Sequence, residues 1–393
     1  MWIAREIESL LRKRAGQRPV VVLTGARQTG KTSLVRRLFP DHEFVSLDLP
    51  SEAEQAERDS RGFLLRHPPP LVVDEVQYAP GLFRHLKSVV DADRKATGRF
   101  ILTGSQRFTL MRSVTESLAG RADILELEGL SWHEIRASLP DVRVEDILVR
   151  GGFPELYDRP DLDAAGFYRS YVATYLERDL RQLLNVTRLR DYERFLRTSA
   201  LRTAQLLNRA DLARDVGISG TTAGEWISVL QASGQIALLE PWFSNRTKSL
   251  VKTPKLYLSD PGLAAFLMGI AGVRDLAGSP LVGALWETLV FAEIRRRQLN
   301  RHGGWTLHFW RDRTKEAAFL HHRGGRFDLA DARWTAAPDA HDAARLERIA
   351  SELPRGRVDR LAILCRCENP YPLSSRVQAL PLEEGAAMFA RAA

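Results

Sequence analysis

The chain has 393 residues, of which 44% are hydrophobic and 27% charged, with a formal net charge of +8 and a sequence pI of about 9.7. This length predicts two or three domains rather than one core, and no apolar run is long enough to span a membrane. The opening Trp2-Ile3-Ala4-Arg5-Glu6-Ile7 is too charged for a signal sequence, and the only cysteines, Cys365 and Cys367, sit two apart on an expected strand. A cytoplasmic protein with inert thiols is expected, and the basic charge suggests a polyanionic partner, nucleic acid first. Arginine richness also accompanies GC-rich coding, so the charge by itself does not decide the partner.

Val20-Val21-Val22-Leu23 is an apolar, β-branched run that reads as a buried strand. It leads into Gly25-Ala26-Arg27-Gln28-Thr29-Gly30-Lys31-Thr32, which fits G-x-x-x-x-G-K-[ST] at every fixed position. Ser33 to Phe39 follows with apolar residues at helical spacing. Strand, glycine loop and helix N-terminus make a phosphate cradle. The backbone N–H groups from Gly25 through Ser33 face the anion, Lys31 reaches the outer phosphates and the Thr32 hydroxyl binds Mg²⁺. ATP and Mg²⁺ are therefore the expected ligands.

Glu43 to Asp48 reads as a second strand. Pro68-Pro69-Pro70 then delivers the chain into Leu71-Val72-Val73-Asp74-Glu75, a strand ending in two acids. Asp74 is expected to hold the Mg²⁺ water shell and Glu75 to polarise the attacking water. Residues 81–92 form a helix with Leu82, Leu86, Val89 and Val90 on one face. A further strand, Arg99 to Gln106, ends with Ser105 and Gln106 near the γ-phosphate, because ligands bind at the carboxyl ends of parallel strands; a plain strand-end turn is the alternative. Ile124 to Leu127 completes the sheet.

Gly151-Gly152-Phe153-Pro154 reads as a turn able to act as a hinge. Phe167, Tyr168, Tyr171, Val172, Tyr175, Leu176, Leu180 and Leu183 then mark one amphipathic helix, read as part of a lid over the nucleotide. Arg178, Arg181, Arg188 and Arg190 are read by default as its solvated face, with DNA or phosphate contact as the alternatives. Next, Asp211 to Val216 is a short helix, Gly217-Ile218-Ser219 a turn, and Thr221 to Leu230 a second helix. Strands at Ile236 to Leu239 and Lys255 to Leu258 flank Ser244-Asn245-Arg246-Thr247-Lys248, a candidate wing. The pattern resembles a winged helix-turn-helix. Thr221 and Thr222, with Glu225, are the candidate DNA-facing side chains of the second helix. Arg246 and Lys248, with Lys252 and Lys255, are candidate phosphate contacts. A lid or docking module is the alternative use of such a fold. After Gly278-Ser279-Pro280 come a helix from Leu281 to Leu299 carrying Glu287, and strands at Trp305 to Arg311, Glu316 to His321 and Arg326 to Trp334. A helix around His341 to Leu353 and a strand from Asp359 to Cys365 close the chain. His321-His322 point to opposite faces of a strand and do not share an ion.

The motifs together resemble a known family. Gly25 to Thr32, Asp74-Glu75-Val76-Gln77, Leu102-Thr103-Gly104-Ser105, Leu118-Ala119-Gly120-Arg121 and Gly151-Gly152-Phe153-Pro154-Glu155 are similar to those of a large prokaryotic group of AAA-type P-loop ATP-binding proteins. That group ends in a domain of unknown function resembling restriction-type nucleases. The resemblance implies an α/β fold with a P-loop AAA-type parallel sheet (1–135), a helical lid or connector (136–200), a winged helix-turn-helix (201–277) and a restriction-endonuclease-like α/β domain (278–393). It also implies that Arg121 senses the γ-phosphate, on its own subunit's nucleotide or a neighbour's. In the resembling family the middle nuclease strand reads Glu-Val-Asp-Phe; here it is Glu316-Ala317-Ala318-Phe319. The following acid, spacer and lysine are Asp331-Ala332-Arg333, and an arginine cannot give up a proton near neutral pH. Glu287 and Glu316 remain, yet no nuclease activity is expected. The resulting expectation is Mg²⁺-dependent ATP hydrolysis driving a conformational switch in a DNA-binding protein. A slow nucleotide-gated regulator with a protein partner, or an ATP-dependent nuclease, are the alternatives, and self-association is a further expectation.

Overall fold

The computed structural model describes residues 1–105, 116–183, 189–242, 253–302, 304, 306–312, 314–353 and 357–390, with the backbone alone at 175–183 and 302. The first third carries α1 (Glu8–Ala15), β1 (Val20–Thr24), α2 (Lys31–Leu38), β2 (Glu43–Ser46), α3 (Pro50–Arg58), α4 (Ser60–Arg66), β3 (Leu71–Asp74), α5 (Leu82–Ala92), β4 (Phe100–Gly104) and β5 (Ala122–Glu126). The five strands form one parallel sheet in the order β2-β3-β4-β1-β5. A parallel sheet needs cover on both faces, so its central strands are apolar throughout rather than alternating. Val21 and Leu23 pack with Leu34, Val35 and Leu38 of α2 on one face. Val20 and Val22 pack with Phe83, Leu86 and Val90 of α5 on the other.

The middle of the chain is helical: α6 (Trp132–Ser138), α7 (Val144–Arg150), α8 (Pro154–Asp158), α9 (Ala164–Leu183) and α10 (Leu189–Leu201). Then come β6 (Gln205–Leu206), α11 (Arg209–Val216), α12 (Gly220–Ala232), β7 (Ile236–Leu239) and β8 (Lys255–Leu258). The Asn208 side chain caps α11 by accepting from Ala210 and Asp211 N–H; Gly217, at φ 81°, stops it in the left-handed region. Ser219 caps α12 through Thr222 N–H. The three strands pair antiparallel in the order β6-β8-β7.

The last third holds α13 (Pro261–Leu267), α14 (Val273–Leu276), α15 (Val282–His302), β9 (Leu307–Arg311), β10 (Glu316–Arg323), β11 (Arg326–Ala332), α16 (Ala340–Glu352), β12 (Val358–Leu364), β13 (Tyr371–Pro372), β14 (Val377–Leu380) and α17 (Leu382–Phe389). Its six-stranded mixed sheet runs β13-β14-β12-β11-β10-β9. Cys365 and Cys367 are free thiols just past the end of β12, not within the strand as expected. One apolar cluster continues from Ile3 and Trp132 through Trp226 and Trp286 to Phe389. No helix among the described residues is long and apolar enough to cross a membrane.

Gly151-Gly152 is not the free turn that the sequence suggested. Gly152 N–H donates to Asp260 Oδ2 at 2.7 Å and its carbonyl accepts from Leu130 N–H at 2.6 Å. The Gly151 carbonyl accepts from Tyr157 Oη at 2.5 Å, and a Cβ on Gly152 would lie 2.6 Å from the Leu130 carbonyl oxygen. The glycines are there for close backbone approach, and the crossing is fixed from both sides.

Candidate functional site

β1 delivers the chain into the loop, and α2 leaves it with Gly30 as its N-terminal boundary at φ 89°. No side chain caps α2, so the N–H groups of its first turn face a cavity of about 700 Å³. Arg27, Gln28, Gly30, Lys31, Thr32, Ser33 and Glu75 line it on the loop side. The buried Lys31 ammonium donates to the carbonyls of Gly25 at 3.0 Å and Ala26 at 2.8 Å. The Thr29 hydroxyl donates to Ala26 O at 2.9 Å, closing the loop on itself.

Asp74 ends β3 beside this loop. Thr32 Oγ1 donates to its Oδ2 at 2.9 Å, and the buried Thr103 hydroxyl donates to its Oδ1. Burial raises the Asp74 pKa, opposed by the hydrogen bonds from Thr103 and Thr32. A hydroxyl and a carboxylate that meet at a helix N-terminus are hard oxygen donors of the kind Mg²⁺ takes together with substrate phosphates. Glu75 follows in the left-handed region, at φ 55°. Its Oε2 accepts from Gln77 Nε2 at 2.5 Å and from Ser105 Oγ at 3.2 Å. Ser105, expected near the γ-phosphate, thus lies against Glu75 and is not part of the cavity wall. Gln106 lies outside the described residues.

Trp2, Ile3, Leu130, Pro154, Tyr171 and Thr174 supply an apolar and aromatic opposite wall, with Pro154 from the Gly151–Glu155 motif and Tyr171 and Thr174 from the helix read as a lid. Arg5 is buried, and its Nη1 donates to Thr29 O at 2.9 Å while Nη2 donates to Glu128 O at 2.8 Å. This guanidinium fixes the loop to the segment after β5. On the far side of the loop, a Cβ on Gly234 would stand 3.5 Å from the Ala26 Cβ. Gln235 Nε2 donates to Tyr171 Oη at 2.9 Å. The turn between α12 and β7 therefore touches both the phosphate loop and a cavity-lining side chain.

Other sequence candidates lie apart. Arg121 grips Asp91 of α5 through two bonds, at 2.7 and 2.9 Å, and is not among the cavity-lining residues. That pairing lowers the Asp91 pKa and raises that of Arg121. Thr221 is exposed and Thr222 half-buried at the start of α12. Arg246, Lys248 and Lys252, and the side chains of Arg178, Arg181 and Arg188, lie outside the described residues. Lys255, read as a phosphate contact, is buried, with its ammonium 2.9 Å from Glu287 Oε1 and 2.5 Å from Glu316 Oε1. Its strand faces the C-terminal layer, so it is unavailable to an external phosphate. Arg295, Arg296 and Arg297, consecutive on α15, are all buried. They bind Glu126, Asp260 and the Glu383 carbonyl respectively. Their burial follows from acids distant in sequence, so no local signal announces it.

An AAA domain family model matches residues 17–136. Two domains of unknown function, DUF8612 and DUF4143, match 142–274 and 282–385. Two uncharacterized proteins, Mb2031c of Mycobacterium bovis and Rv2008c of Mycobacterium tuberculosis, are each 30% identical over 383 residues, covering 97% of this chain and 84% of theirs. Among solved structures, the Walker-type ATPase PABY2304 of Pyrococcus abyssi aligns with a TM-score of 0.46 and 17% identity, over 68% of this chain and 96% of that one. With a glycine loop leading into the uncapped α2 on a five-stranded parallel sheet, an AAA domain over that sheet and relatives covering nearly all of this chain, the chain belongs to the AAA-type P-loop ATP-binding family of those mycobacterial proteins.

Proposed function

We propose that the chain binds ATP with Mg²⁺ in the cavity beside the phosphate loop, hydrolyses it, and passes nucleotide occupancy to the α11–α12 module. The observation that carries this reading is the Thr32–Asp74 contact at 2.9 Å at the uncapped start of α2. Thr32 and Asp74 are the residues that would hold Mg²⁺, and a bound ion supplies charge neutralisation between phosphate oxygens. Lys31 exchanges the carbonyls of Gly25 and Ala26 for phosphate oxygens. Glu75 takes the proton of the attacking water once its carboxylate leaves Gln77 and Ser105. Purified protein is expected to release phosphate from ATP. Glu75→Gln is expected to retain ATP while losing about 10²- to 10⁴-fold in rate, the usual share of a general base. The reading fails if Lys31→Ala hydrolyses as fast as the parent.

The route to the middle module is the contact of Ala26 with Gly234 and the Tyr171–Gln235 hydrogen bond. For the partner, DNA is the first reading, from the net charge of +8 and the capped α11–turn–α12 unit. One observation favours the second, a slow regulator with a protein partner. The exposed face of α12 presents Thr221, Glu225 and Ser228, with no basic side chain, and Lys255 is withdrawn from solvent. DNA affinity falling steeply with salt, with a slope set by the number of phosphates neutralised, supports the first reading. No measurable DNA binding at physiological salt supports the second.

A further inference from the structure

The segment before α1 forms neither strand nor helix, yet it is buried on two sides: Ile3 packs in the long central cluster and Ile7 in the cluster of α1, β1 and α2. Between them the buried Arg5 reaches three other parts of the chain. Its Nη1 donates to Thr29 O at 2.9 Å, within the Gly25–Thr32 loop. Its Nη2 donates to Glu128 O at 2.8 Å and to Gly129 O at 3.2 Å, in the segment after β5. Its Nε donates to Glu134 Oε1 at 3.2 Å, and Glu134 is the carboxylate of the capping box that opens α6. The main chain beside it is fastened as well: Arg5 N–H donates to Glu8 Oε1 at 3.0 Å and Glu6 N–H to Glu134 Oε1 at 2.7 Å.

The bond to Thr29 has a consequence beyond packing, because Thr29 O and Gly30 N–H belong to one peptide unit. That unit is trans and planar, so its C=O and N–H point in opposite directions. With Thr29 O held on Arg5, the Gly30 N–H is turned to the other side of the loop, where it donates to no group among the described residues. Such a unit is otherwise easy to rotate: Gly30 stands at φ 89°, has no Cβ to resist, and no side chain caps α2. Arg5 lies directly against it, since a Cβ on Gly30 would stand 3.9 Å from Arg5 Nη1. The guanidinium also pairs with the fully enclosed Glu134 carboxylate, so its charge is met inside the protein and its geometry is what the loop receives.

We propose that Arg5 is a positioning residue of the nucleotide site: by holding the Thr29 carbonyl it fixes the Thr29–Gly30 peptide in the orientation that presents the Gly30 N–H to a phosphate. The inference rests on the reading of this cavity as an ATP site. It gives a task to the N-terminal segment, which lies outside every motif. It also makes the planar fork the requirement and not the charge. A guanidinium offers N–H donors in several fixed directions, and here they meet Thr29, Glu128, Gly129 and Glu134 together. Lysine keeps the charge, but a compact ammonium on a flexible stem does not span those acceptors at once.

The test compares Arg5→Lys with Glu134→Gln on the full chain, by calorimetric affinity for Mg·ADP, steady-state ATPase kinetics and Tm. Both variants weaken the same buried pair, but only Arg5→Lys releases the Thr29 carbonyl. Both are expected to lower Tm. Arg5→Lys is expected to weaken Mg·ADP binding by at least about tenfold, the worth of one hydrogen bond to a charged group, and to lower kcat/KM for ATP by about 10²-fold. Glu134→Gln is expected to keep the parent's affinity and kcat/KM. A purely structural Arg5 predicts instead that affinity follows Tm in both. Arg5→Lys binding Mg·ADP as tightly as the parent, or Glu134→Gln losing affinity in step with its Tm, overturns the proposal. A parent without affinity for adenine nucleotides overturns the ATP reading along with it, and so is told apart from a failure of Arg5 alone. If Arg5→Lys does not fold, Arg5→Met/Glu134→Gln, which removes both charges together, takes its place with the same expected loss; its binding Mg·ADP like Glu134→Gln, or its failure to fold, overturns the positioning role.

Discussion

Replacing Gly25 by alanine separates the phosphate-loop reading from any account in which the loop is a passive turn. Gly25 sits at φ 152°, where its missing Cβ would stand 2.0 Å from the Leu127 carbonyl oxygen and 3.0 Å from its carbon. An ordinary contact there is roughly 3.2 Å or more, so the loop and the end of β5 must part by about 1.2 Å. Neither side yields easily. Leu127 N–H donates to Thr24 O at 2.8 Å, the last bond that ties this end of β5 to β1. Straining a side-chain-bearing residue into that backbone region costs on the order of 1–3 kcal/mol, and losing the ladder bond about 1 kcal/mol more. The same displacement moves the N–H groups proposed to hold phosphate, and a misplacement near 1 Å costs on the order of 10²-fold in rate. Gly25→Ala is therefore expected to lose about 2–4 kcal/mol in denaturant unfolding, and about two decades in phosphate release. Gly269→Ala is the control: its φ is 82° but nothing lies within 4 Å of its would-be Cβ. It carries strain without a clash and is expected to cost about 1 kcal/mol with ATPase unchanged. A Gly25→Ala protein with parental rate and stability refutes the geometry.

Two further outcomes test the structure elsewhere. Arg121→Ala is expected to lower the ATPase rate while leaving Tm unchanged, and Asp91→Ala, which frees Arg121, is expected to raise the rate with a dependence on protein concentration if a neighbouring subunit's nucleotide is the target. Equal rates for Arg121→Ala and the parent at every concentration remove Arg121 from the reaction. Glu293 is fully buried, and burial pushes its carboxyl up to about 7, against the opposing pull of Arg297, the Trp132 N–H, Arg296 and the His133 N–H. Its folded pKa lies above the unfolded one, so the folded state binds the extra proton. That stability is fully present below the unfolded value and is lost as pH rises through about 7. The difference is on the order of 3 kcal/mol across the window. Urea midpoints of the parent should fall between pH 5.5 and pH 8 by more than those of Glu293→Gln; parallel pH profiles would refute it.

The strand, glycine loop and helix from Val20 to Leu38 were legible because the motif fixes residue types at fixed spacing. A strand must deliver the loop, glycine must permit φ 89° at Gly30, and lysine and threonine must open the helix. Gln77 appeared only within the Asp74-Glu75-Val76-Gln77 motif and was assigned no role; its bond to the Glu75 carboxylate depends on the chain turning through φ 55° at Glu75. Lys255 was misread for a physical reason. A lysine at the start of a strand beside a basic segment looks solvated, and its acids lie 32 and 61 residues further along the chain. The three arginines of α15 failed to signal burial in the same way. Short strands such as Tyr371–Pro372 and Val377–Leu380 left no periodic pattern long enough to read.

Those arginines constrain how any nucleotide-driven movement can travel. α15 is 21 residues long, about 30 Å, and it is pinned at successive turns to different parts of the molecule. Glu287 holds Lys255 of β8, and Glu293 accepts from Trp132 N–H at the start of α6. Arg295 donates to Glu126 at the end of β5, and Arg296 spans Leu130 O and Asp260. Breaking one member of such a buried set leaves a charge without its partner, at about 3–5 kcal/mol. The helix and what it binds therefore move as one body or not at all. Gly151-Gly152 cannot supply the swivel, because both glycines are held by Asp260, Leu130 and Tyr157. What remains adjustable is the surface where the loop meets the Gly234 turn, which lies beside Ala26 with no charge between them, and the Glu75 carboxylate that Gln77 and Ser105 restrain. A switch of the kind proposed would accordingly be a small slide of the α12–β7 turn across the Gly25–Thr32 loop, read out by α12.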